Sequence, residues 1–382
     1  MYDDALTDRH WMQRALRLAS AGWARVHPNP MVGAVIVKNG VLIGEGYHAE
    51  YGGPHAEVAA LQAAGPAAAG ATMYVTLEPC RHWGKTPPCT NAVIRAGISR
   101  VVLAASDPSP DAGGGAELLR AAGIEVVTGV CAQEAERQNA VFFHAQRTRL
   151  PFVTLKLAMS LDGCIAAAPG VRTTITGPEA NRCVHTLRAG YDAILVGANT
   201  ARVDDPLLTV RGPVEPIRPP IRAVLDTNLS VSSASALVAS TMEAPVWLLT
   251  REDAPVERRW ELERFGVRSI GVPAGPDGLD LRAALAALHS RGVRSVFCEG
   301  GARVAASLLA ADVVERLHVF FAPVLLGNSG VRGFAHEAMP IGFEVSSAET
   351  LGRDVHIQLE RRRVSAPQEP EETSALDVHR AG

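Results

Sequence analysis

Three metal-binding side chains and one carboxylate constrain this chain more than any other feature. His55-Ala56-Glu57 is followed by Pro79-Cys80 and then by Cys89. Catalytic zinc takes three protein ligands and leaves its fourth position to water, whereas structural zinc is closed by four ligands. One histidine and two cysteines fit the open count, and Glu57 is then free to move protons. The pattern therefore predicts an open zinc site.

Local sequence places both ligand-bearing segments at the start of helices. Pro54-His55 precedes residues 56–64, whose composition favours helix, and Pro88-Cys89 precedes a helical run at 92–96. The positive end of a helix dipole favours thiolate over thiol at Cys89. At a first turn, His55 can bind metal while Glu57 reaches the metal's water. His-x-Glu followed by Pro-Cys and a second Cys is typical of zinc-dependent deaminases.

Two alternative interpretations of the zinc motif can be weighed. In the first, His82 or His48 closes a structural site, but the ligands are split by a helix and a strand and do not form the paired knuckles of a compact finger. In the second, the substrate is a base in RNA or DNA. The net charge is −3, the pI is near 6.5 and the chain has no Lys/Arg-rich block. We therefore expect no nucleic-acid partner.

Four segments resemble one family in both order and spacing: 27–33, 44–48, 54–58 and 76–89. They are similar to the deaminase half of the bifunctional riboflavin-biosynthesis deaminase/reductase family. The long insertion between Cys80 and Cys89 is that family's own variant of the zinc motif. The resemblance implies a cytidine-deaminase-like domain in which His55, Cys80 and Cys89 bind Zn²⁺ and Glu57 is the catalytic proton shuttle.

The rest of the chain predicts a second domain. At 382 residues the chain exceeds the usual size of one domain. A helical run at 132–145 meets Pro151 and then an apolar strand at 152–157, so we place the domains at 1–148 and 151–363. Strand-like runs at 193–196, 221–225, 246–249 and 295–298 alternate with helical runs, of which 281–288 and 304–309 are the clearest. This alternation predicts an α/β fold with a largely parallel sheet.

The second half carries two polar clusters, around 200–211 and around 298–302. No Gly-x-Gly-x-x-Gly occurs in the chain, so a Rossmann fingerprint is not supported. Gly300-Gly301 at a strand-to-helix turn suits an anion, although a Gly-Gly turn can also serve packing alone. Both clusters resemble the reductase domain of the same family, whose fold is like that of dihydrofolate reductase.

The resemblance implies a role for particular residues of the second half. NADPH contacts are implied for Ala158, Thr200, Asp204 and Gly301, and substrate contacts for Lys156, Arg188, Leu208, Arg211 and Glu299. A guanidinium suits a phosphate because it can donate two parallel hydrogen bonds. At one place the chain departs from the family pattern, since Thr174 replaces a tryptophan near the cofactor and Arg172 occupies a substrate-contact position. The alternative is therefore a deaminase with a non-catalytic second domain.

Together these features predict a two-step enzyme with Zn²⁺ and NADPH as cofactors. The resemblance implies that the substrate is a small pyrimidine ribosyl phosphate, deaminated on the ring and then reduced on the sugar. We expect a cytoplasmic homo-oligomer with no membrane span, and four further cysteines (131, 164, 183 and 298) that remain reduced packing thiols. The polar tail at 364–382 is predicted to be disordered.

Overall fold

A computed structural model describes residues 2–84, 87–275, 278–334 and 342–362. The predicted disordered tail at 364–382 and the pair Lys85-Thr86 lie outside the described residues. Within those ranges, no helix is both long enough and apolar enough to cross a bilayer.

The first part of the chain is a five-stranded sheet covered by helices. Its strands are β1 (Gly33–Lys38), β2 (Val41–Tyr47), β3 (Thr72–Leu77), β4 (Arg100–Ala105) and β5 (Glu125–Val127). Its helices are α1 (Tyr2–Ala19), α2 (Ala56–Ala64), α3 (Cys89–Arg95), α4 (Gly115–Ala121), α5 (Ala132–Gln138) and α6 (Ala140–Arg147). The strand order is β2-β1-β3-β4-β5, with β1 antiparallel to both neighbours and β3, β4 and β5 parallel.

Strand β1 is apolar on both faces because helices cover it on both sides. On one face Val35 packs in a cluster with Met12 and Ala15 of α1, and on the other Ile36 packs in a cluster with Ala60 of α2. All five side chains are 0% exposed. The sheet thereby fixes α2, and with it the His-x-Glu motif at the start of that helix.

The second part is built on a nine-stranded sheet. Its strands are β6 (Phe152–Ser160), β8 (Ala193–Gly197), β9 (Ile221–Leu225), β10 (Val246–Arg251), β11 (Val267–Val272), β14 (Ser295–Cys298), β15 (Val314–Ala322), β17 (Phe343–Leu351) and β18 (Asp354–Arg361). Short two-stranded pairs are formed by β7 (Cys164–Ala166) with β16 (Val331–Arg332) and by β12 (Ala274–Gly275) with β13 (Gly278–Leu279). The helices are α7 (Pro178–Ala189), α8 (Ala198–Asp204), α9 (Ala236–Ala239), α10 (Val256–Glu263), α11 (Leu281–His289) and α12 (Ala302–Ala310).

The strand order of this sheet is β11-β10-β9-β8-β14-β6-β15-β18-β17, and neighbouring strands are parallel except in the antiparallel pairs β15–β18 and β18–β17. Chain direction across the sheet reverses near β14, which lies between β8 and β6. In open α/β sheets ligands bind outside the carboxyl ends of strands at such a switch point. We therefore expect a ligand site among the residues that follow β8 and β14.

Strand β6 presents different chemistry to its two faces. Val153, Leu155 and Leu157 pack into the main core cluster. The alternate residues include Lys156 and Ala158, which face the side covered by α7 because side chains alternate along a strand. This face holds a polar site next to an apolar core.

Most predicted elements are confirmed, among them the helix at 56–64 and the strands at 221–225 and 295–298. The single helical run predicted at 132–145 is wrong. It forms two helices that meet at Asn139, whose backbone leaves the helical region at φ −107°. The Asn139 side chain accepts a hydrogen bond from Met31 N and donates one to Met31 O, both at 2.8 Å. Periodicity alone could not reveal this break, because a contact distant in sequence accompanies it.

The loop after α1 touches the second part of the chain. Trp23 Nε1 donates to Thr186 O of α7 at 3.0 Å, and His27 Nδ1 lies 2.9 Å from Asp192 Oδ1. A Cβ at Gly190 would overlap the Trp23 ring, so glycine is required for this approach. The contacts therefore reach the end of the helix that carries Arg188.

Candidate functional site

The three predicted zinc ligands come together in the first part of the chain. His55 precedes α2 with extended backbone (φ −72°, ψ 161°), Cys80 follows β3, and Cys89 is the first residue of α3. His55 Nδ1 lies 3.1 Å from Cys89 Sγ and 3.7 Å from Cys80 Sγ. The three ligand atoms all lie within 4.8 Å of one another. One imidazole and two sulfurs at this separation fit a zinc ion with an open fourth position.

Proton positions in this cluster favour a thiolate. Hydrogen bonds from the Cys89 side chain, from His55 and from the Cys89 N–H lower the pKa of Cys80 to about 4, against the opposing effect of burial. The neighbouring Cys80, together with burial, raises the pKa of Cys89. Hydrogen bonding to Cys80 also raises the pKa of His55. The lowered pKa of Cys80 favours its thiolate, which is the form of cysteine that binds zinc.

Glu57 is placed for proton transfer rather than for ligation. It lies in the first turn of α2, is 3% exposed and contacts the Cys89 side chain. Burial raises the pKa of Glu57, although His55 opposes the shift. A raised pKa makes a carboxylate a better proton acceptor, and the proton that it accepts can then be passed to a leaving group. The geometry therefore combines a metal triad with an adjacent acid/base group.

Neither candidate fourth ligand of the structural-zinc alternative joins the described triad. Both ring nitrogens of the buried His48 have other partners, since Nδ1 lies 2.9 Å from Pro54 O and Nε2 lies 3.1 Å from Asn29 Nδ2. His82 is exposed and lies outside the cluster. His48 instead packs edge-on against the His55 ring at 5.3 Å and so helps to orient it.

A second cluster lies at the carboxyl end of β14. Glu299 follows that strand, and its carboxylate accepts two hydrogen bonds from Arg188, from Nε at 2.5 Å and from Nη2 at 3.0 Å. Lys156 Nζ lies 3.9 Å from the same carboxylate. The three side chains are only 10–17% exposed. Three residues from α7, β6 and the β14 end therefore form one charged group.

The electrostatics of this cluster are set by burial and mutual attraction. Burial disfavours the charged form of Glu299, but Arg188 and then Lys156 overcome it and hold the pKa of Glu299 below its usual value. Burial lowers the pKa of Lys156, and Glu299 opposes that shift. Two basic side chains therefore flank one carboxylate, an arrangement that suits an anionic substrate.

The Gly300-Gly301 turn forms the start of α12. A Cβ at Gly300 would lie 2.8 Å from Val304 Cβ, so the turn packs closely against its own helix. Gly301 N donates to Thr200 Oγ1 of α8 at 3.2 Å, which joins two of the residues assigned to NADPH. The starts of α8 and α12 thus lie side by side, an arrangement that fits a dinucleotide phosphate.

His185, a residue that the sequence motifs did not indicate, links Arg211 to the charged cluster. Arg211 N donates to His185 Nδ1 at 3.0 Å, and the Arg211 side chain is exposed, with no salt bridge to any described residue. Burial lowers the pKa of His185, and Arg188 and Arg211 lower it further. Both guanidinium groups therefore lie near the same imidazole. The only sequence signal for His185 is its position three residues before Arg188 on one helix face.

The remaining predicted site residues lie on the elements around this cluster. Ala158 is half-buried on the Lys156 face of β6. Leu208 is 3% exposed and packs in the core, with a left-handed backbone at φ 53°. Asp204 ends α8, and burial raises its pKa while Arg172 opposes the shift. Thr174 is exposed. Arg172, one of the two residues that depart from the family pattern, therefore lies near the predicted cofactor contact Asp204.

Each half of the chain matches a known protein family. The family described as the cytidine and deoxycytidylate deaminase zinc-binding region matches residues 6–105. The RibD C-terminal domain family matches residues 151–357, which is more than half of the chain. The first match contains the zinc triad, and the second contains the charged cluster around Glu299.

Curated relatives and solved structures match over nearly the full length. The riboflavin biosynthesis protein RibD of Escherichia coli is 44% identical, over 93% of this chain and 99% of its own. The RibD of Aquifex aeolicus is 42% identical, over 93% and 98%. The structure of Acinetobacter baumannii RibD is 36% identical, covers 94% of this chain and 100% of its own, and has a TM-score of 0.82. A Thermotoga maritima structure described as a diaminohydroxyphosphoribosylaminopyrimidine deaminase/5-amino-6-(5-phosphoribosylamino)uracil reductase is 34% identical over 94% and 100%, with a TM-score of 0.80. The chain belongs to the RibD family of riboflavin biosynthesis proteins.

Proposed function

We propose that this chain catalyses two successive steps of riboflavin biosynthesis. The first is the hydrolytic deamination of 2,5-diamino-6-ribosylamino-4(3H)-pyrimidinone 5′-phosphate. The second is the NADPH-dependent reduction of the ribosyl group to give 5-amino-6-ribitylamino-uracil 5′-phosphate. The observation that carries the proposal is that one chain contains both an assembled zinc triad and an assembled charged cluster at the sheet switch point.

In deamination, this chain's residues hold the metal and move the proton. His55, Cys80 and Cys89 would hold Zn²⁺, which supplies a Lewis acid and an activated water when bound. Glu57 takes the proton of the attacking water and delivers it to the departing amine, so that ammonia leaves. The buried position of Glu57 beside the triad supports this role. His48 positions His55 through the edge-on ring contact.

In reduction, the residues align two reactants. When bound, NADPH would supply a hydride for C1′ of the ribosyl group, opened as its imine, and the imine nitrogen would take its proton from solvent. Lys156, Arg188 and Glu299 form a fixed charged surface for the substrate, and Arg211 offers an exposed guanidinium for its phosphate. Thr200 and Gly301 would contact the cofactor, with Ala158 and Asp204 at its margins. Leu208 packs in the core beneath these residues. By resemblance, it also lines the substrate pocket.

We further propose that the deaminase domain spans 1–148 and the reductase domain spans 151–363. The all-thiol state of the six cysteines supports a cytoplasmic location, because disulfides are rare there. The homo-oligomer expected from the sequence stays a prediction that light scattering can check.

The alternative, a deaminase with a non-catalytic second domain, rests on Thr174. Relatives that match over both halves do not favour it. Titration with NADPH distinguishes the two, because a competent reductase domain binds the cofactor saturably and a non-catalytic one does not.

The direct test is product analysis with and without cofactor. Zinc-loaded protein given the diaminopyrimidine phosphate alone should accumulate the deaminated ribosyl compound. Addition of NADPH should convert that compound to the ribityl product. Recovery of unchanged substrate in both samples would contradict the proposal.

A further inference from the structure

A second group of metal-binding side chains lies in the reductase half, away from the zinc triad. Cys183 of α7, Glu349 of β17 and His356 of β18 each offer a ligand atom, and these atoms all lie within 4.8 Å of one another. Neither the family resemblance nor the two proposed reactions uses these residues. The sequence predicts that Cys183 is a packing thiol, but its side chain is only half-buried.

Backbone pairing brings two of the three ligands together. Glu349 and His356 are direct partners in the antiparallel β17–β18 pair. Glu349 Oε1 lies 3.0 Å from His356 Nδ1. Helix α7 packs against β18 and supplies the Cys183 sulfur from the third direction. Sulfur, imidazole nitrogen and carboxylate oxygen are all established zinc ligands.

The His356 ring is held in place by neighbours that do not compete for the ligand position. It stacks on Phe320 with ring centroids 4.4 Å apart. Its Nε2 lies 2.8 Å from His318 Nδ1, so Nδ1 is the ring nitrogen that faces Glu349. Metal-bound histidine almost always donates its other N–H to a fixed partner. His318 is 1% exposed, and its Nε2 has no hydrogen-bond partner among the described residues. Phe320 and the buried His318 therefore fix the orientation of the His356 ring.

The cluster is also accessible from solvent. The Glu349 side chain is 56% exposed, and Cys183 is half-buried, so an ion has an entry path. Three ligands leave room for a water as the fourth ligand.

We propose that Cys183, Glu349 and His356 form a second Zn²⁺ site. A borderline-soft donor set of this kind suits zinc and disfavours magnesium or calcium. An ion here would tie α7 to the β17–β18 hairpin. Because α7 also carries Arg188, occupancy of this site would act on reduction rather than on deamination.

Zinc content after dialysis tests the proposal. The full-length protein is stripped with a chelator, dialysed against micromolar Zn²⁺ with a weak competing chelator, and analysed for metal per chain. Wild type should hold two equivalents. Cys183→Ser and Glu349→Gln should each hold one, with second-site affinity lowered at least about 10-fold. Cys89→Ala should also hold one, now at the second site.

A control substitution at another cysteine and the absorption spectrum of bound Co²⁺ show whether loss of the second metal is specific to Cys183. Cys131→Ser removes a free thiol outside both clusters and should still hold two equivalents. In the Cys89→Ala background, Co²⁺ should give a thiolate charge-transfer band that Cys183→Ser abolishes. A single equivalent in wild type that Cys89→Ala removes would overturn the second site and leave the first intact. Two equivalents in Cys183→Ser would likewise overturn it.

Discussion

Glu57 is a residue whose environment changes its chemistry. Its side chain is 3% exposed beside the zinc triad, and burial raises its pKa. Burial disfavours the ionised form, so Glu57 keeps an accepted proton more readily than an exposed glutamate would. The position of the residue, rather than the carboxyl group alone, therefore makes it an acid and a base in turn.

We expect Glu57→Gln to abolish deamination and to leave zinc in place. Glutamine keeps the shape of the side chain but cannot carry the proton, so ammonia release should fall by at least about 100-fold. Zinc content should match wild type, because the three ligands are untouched. An enzyme that retains near-normal ammonia release after this change would exclude Glu57 as the proton shuttle.

Arg188 is expected to serve reduction alone. Its guanidinium holds Glu299 through two hydrogen bonds, so Arg188→Ala leaves a buried carboxylate without its main partner. We expect kcat/KM of reduction to fall at least about 10-fold, with deamination unchanged. Arg182→Ala is the matched control, since Arg182 lies on the same helix and forms only an exposed pair with Glu179. Equal effects of the two substitutions would mean that Arg188 has no special role.

At the scale of elements, a buried polar network ties α1 to the first sheet. Tyr74 of β3 donates to Asp8 Oδ1 at 3.0 Å, and Arg100 of β4 donates to both Asp8 oxygens at 2.8 Å. Burial and then Asp8 raise the pKa of Tyr74 to about 12. Both carboxylate oxygens of Asp8 accept hydrogen bonds in this network, and the bond from Tyr74 requires that the tyrosine keep its proton.

Tyr74 should therefore titrate late and lose its stabilising effect at high pH. Its folded pKa lies above the ordinary value of 10.0, so the unfolded chain loses the proton first as pH rises. The contribution is complete below pH 10 and is lost between about pH 10 and pH 12. Tyr74→Phe should remove one late tyrosinate step from the ultraviolet titration and lower unfolding free energy by about 1 kcal/mol near pH 8.

Residue types and spacing predicted some elements and ligands well, and contacts distant in sequence decided the rest. His55, Cys80 and Cys89 could be predicted because the motif itself carries the ligand types. The pairing of Arg188 with Glu299 spans 111 positions and was not predicted, since the resemblance implied the two residues only as separate substrate contacts. The Cys183 cluster depends on the register of β17 against β18, which shifts near Ser347. A local pattern cannot encode such a register, because it is fixed by the whole sheet.

At the scale of the whole molecule, Trp23 connects the two halves. Its ring lies over Gly190, and its indole N–H donates to Thr186 of α7. Any side chain at position 190 would have to displace the ring. The end of α7, two residues beyond Arg188, is therefore held by a residue of the first domain.

Gly190→Ala should disturb the contact with Trp23, and a smaller residue at position 23 should restore the lost stability. Overpacking of this kind costs about 1–3 kcal/mol, so we expect a lower Tm and weaker reduction. Adding Trp23→Leu should recover most of the lost Tm, because the smaller side chain makes room for the new methyl group. Failure of the double variant to recover would mean that the loss arises within α7 and not at the contact between the halves.

Whether one chain performs both reactions can be decided in a single time course. Zinc-loaded protein receives 2,5-diamino-6-ribosylamino-4(3H)-pyrimidinone 5′-phosphate and NADPH, and ammonia release and NADPH oxidation are recorded together. We predict that ammonia appears first and that NADPH is then consumed in equal amount. Ammonia without NADPH oxidation would contradict the bifunctional account and confine catalysis to the first domain.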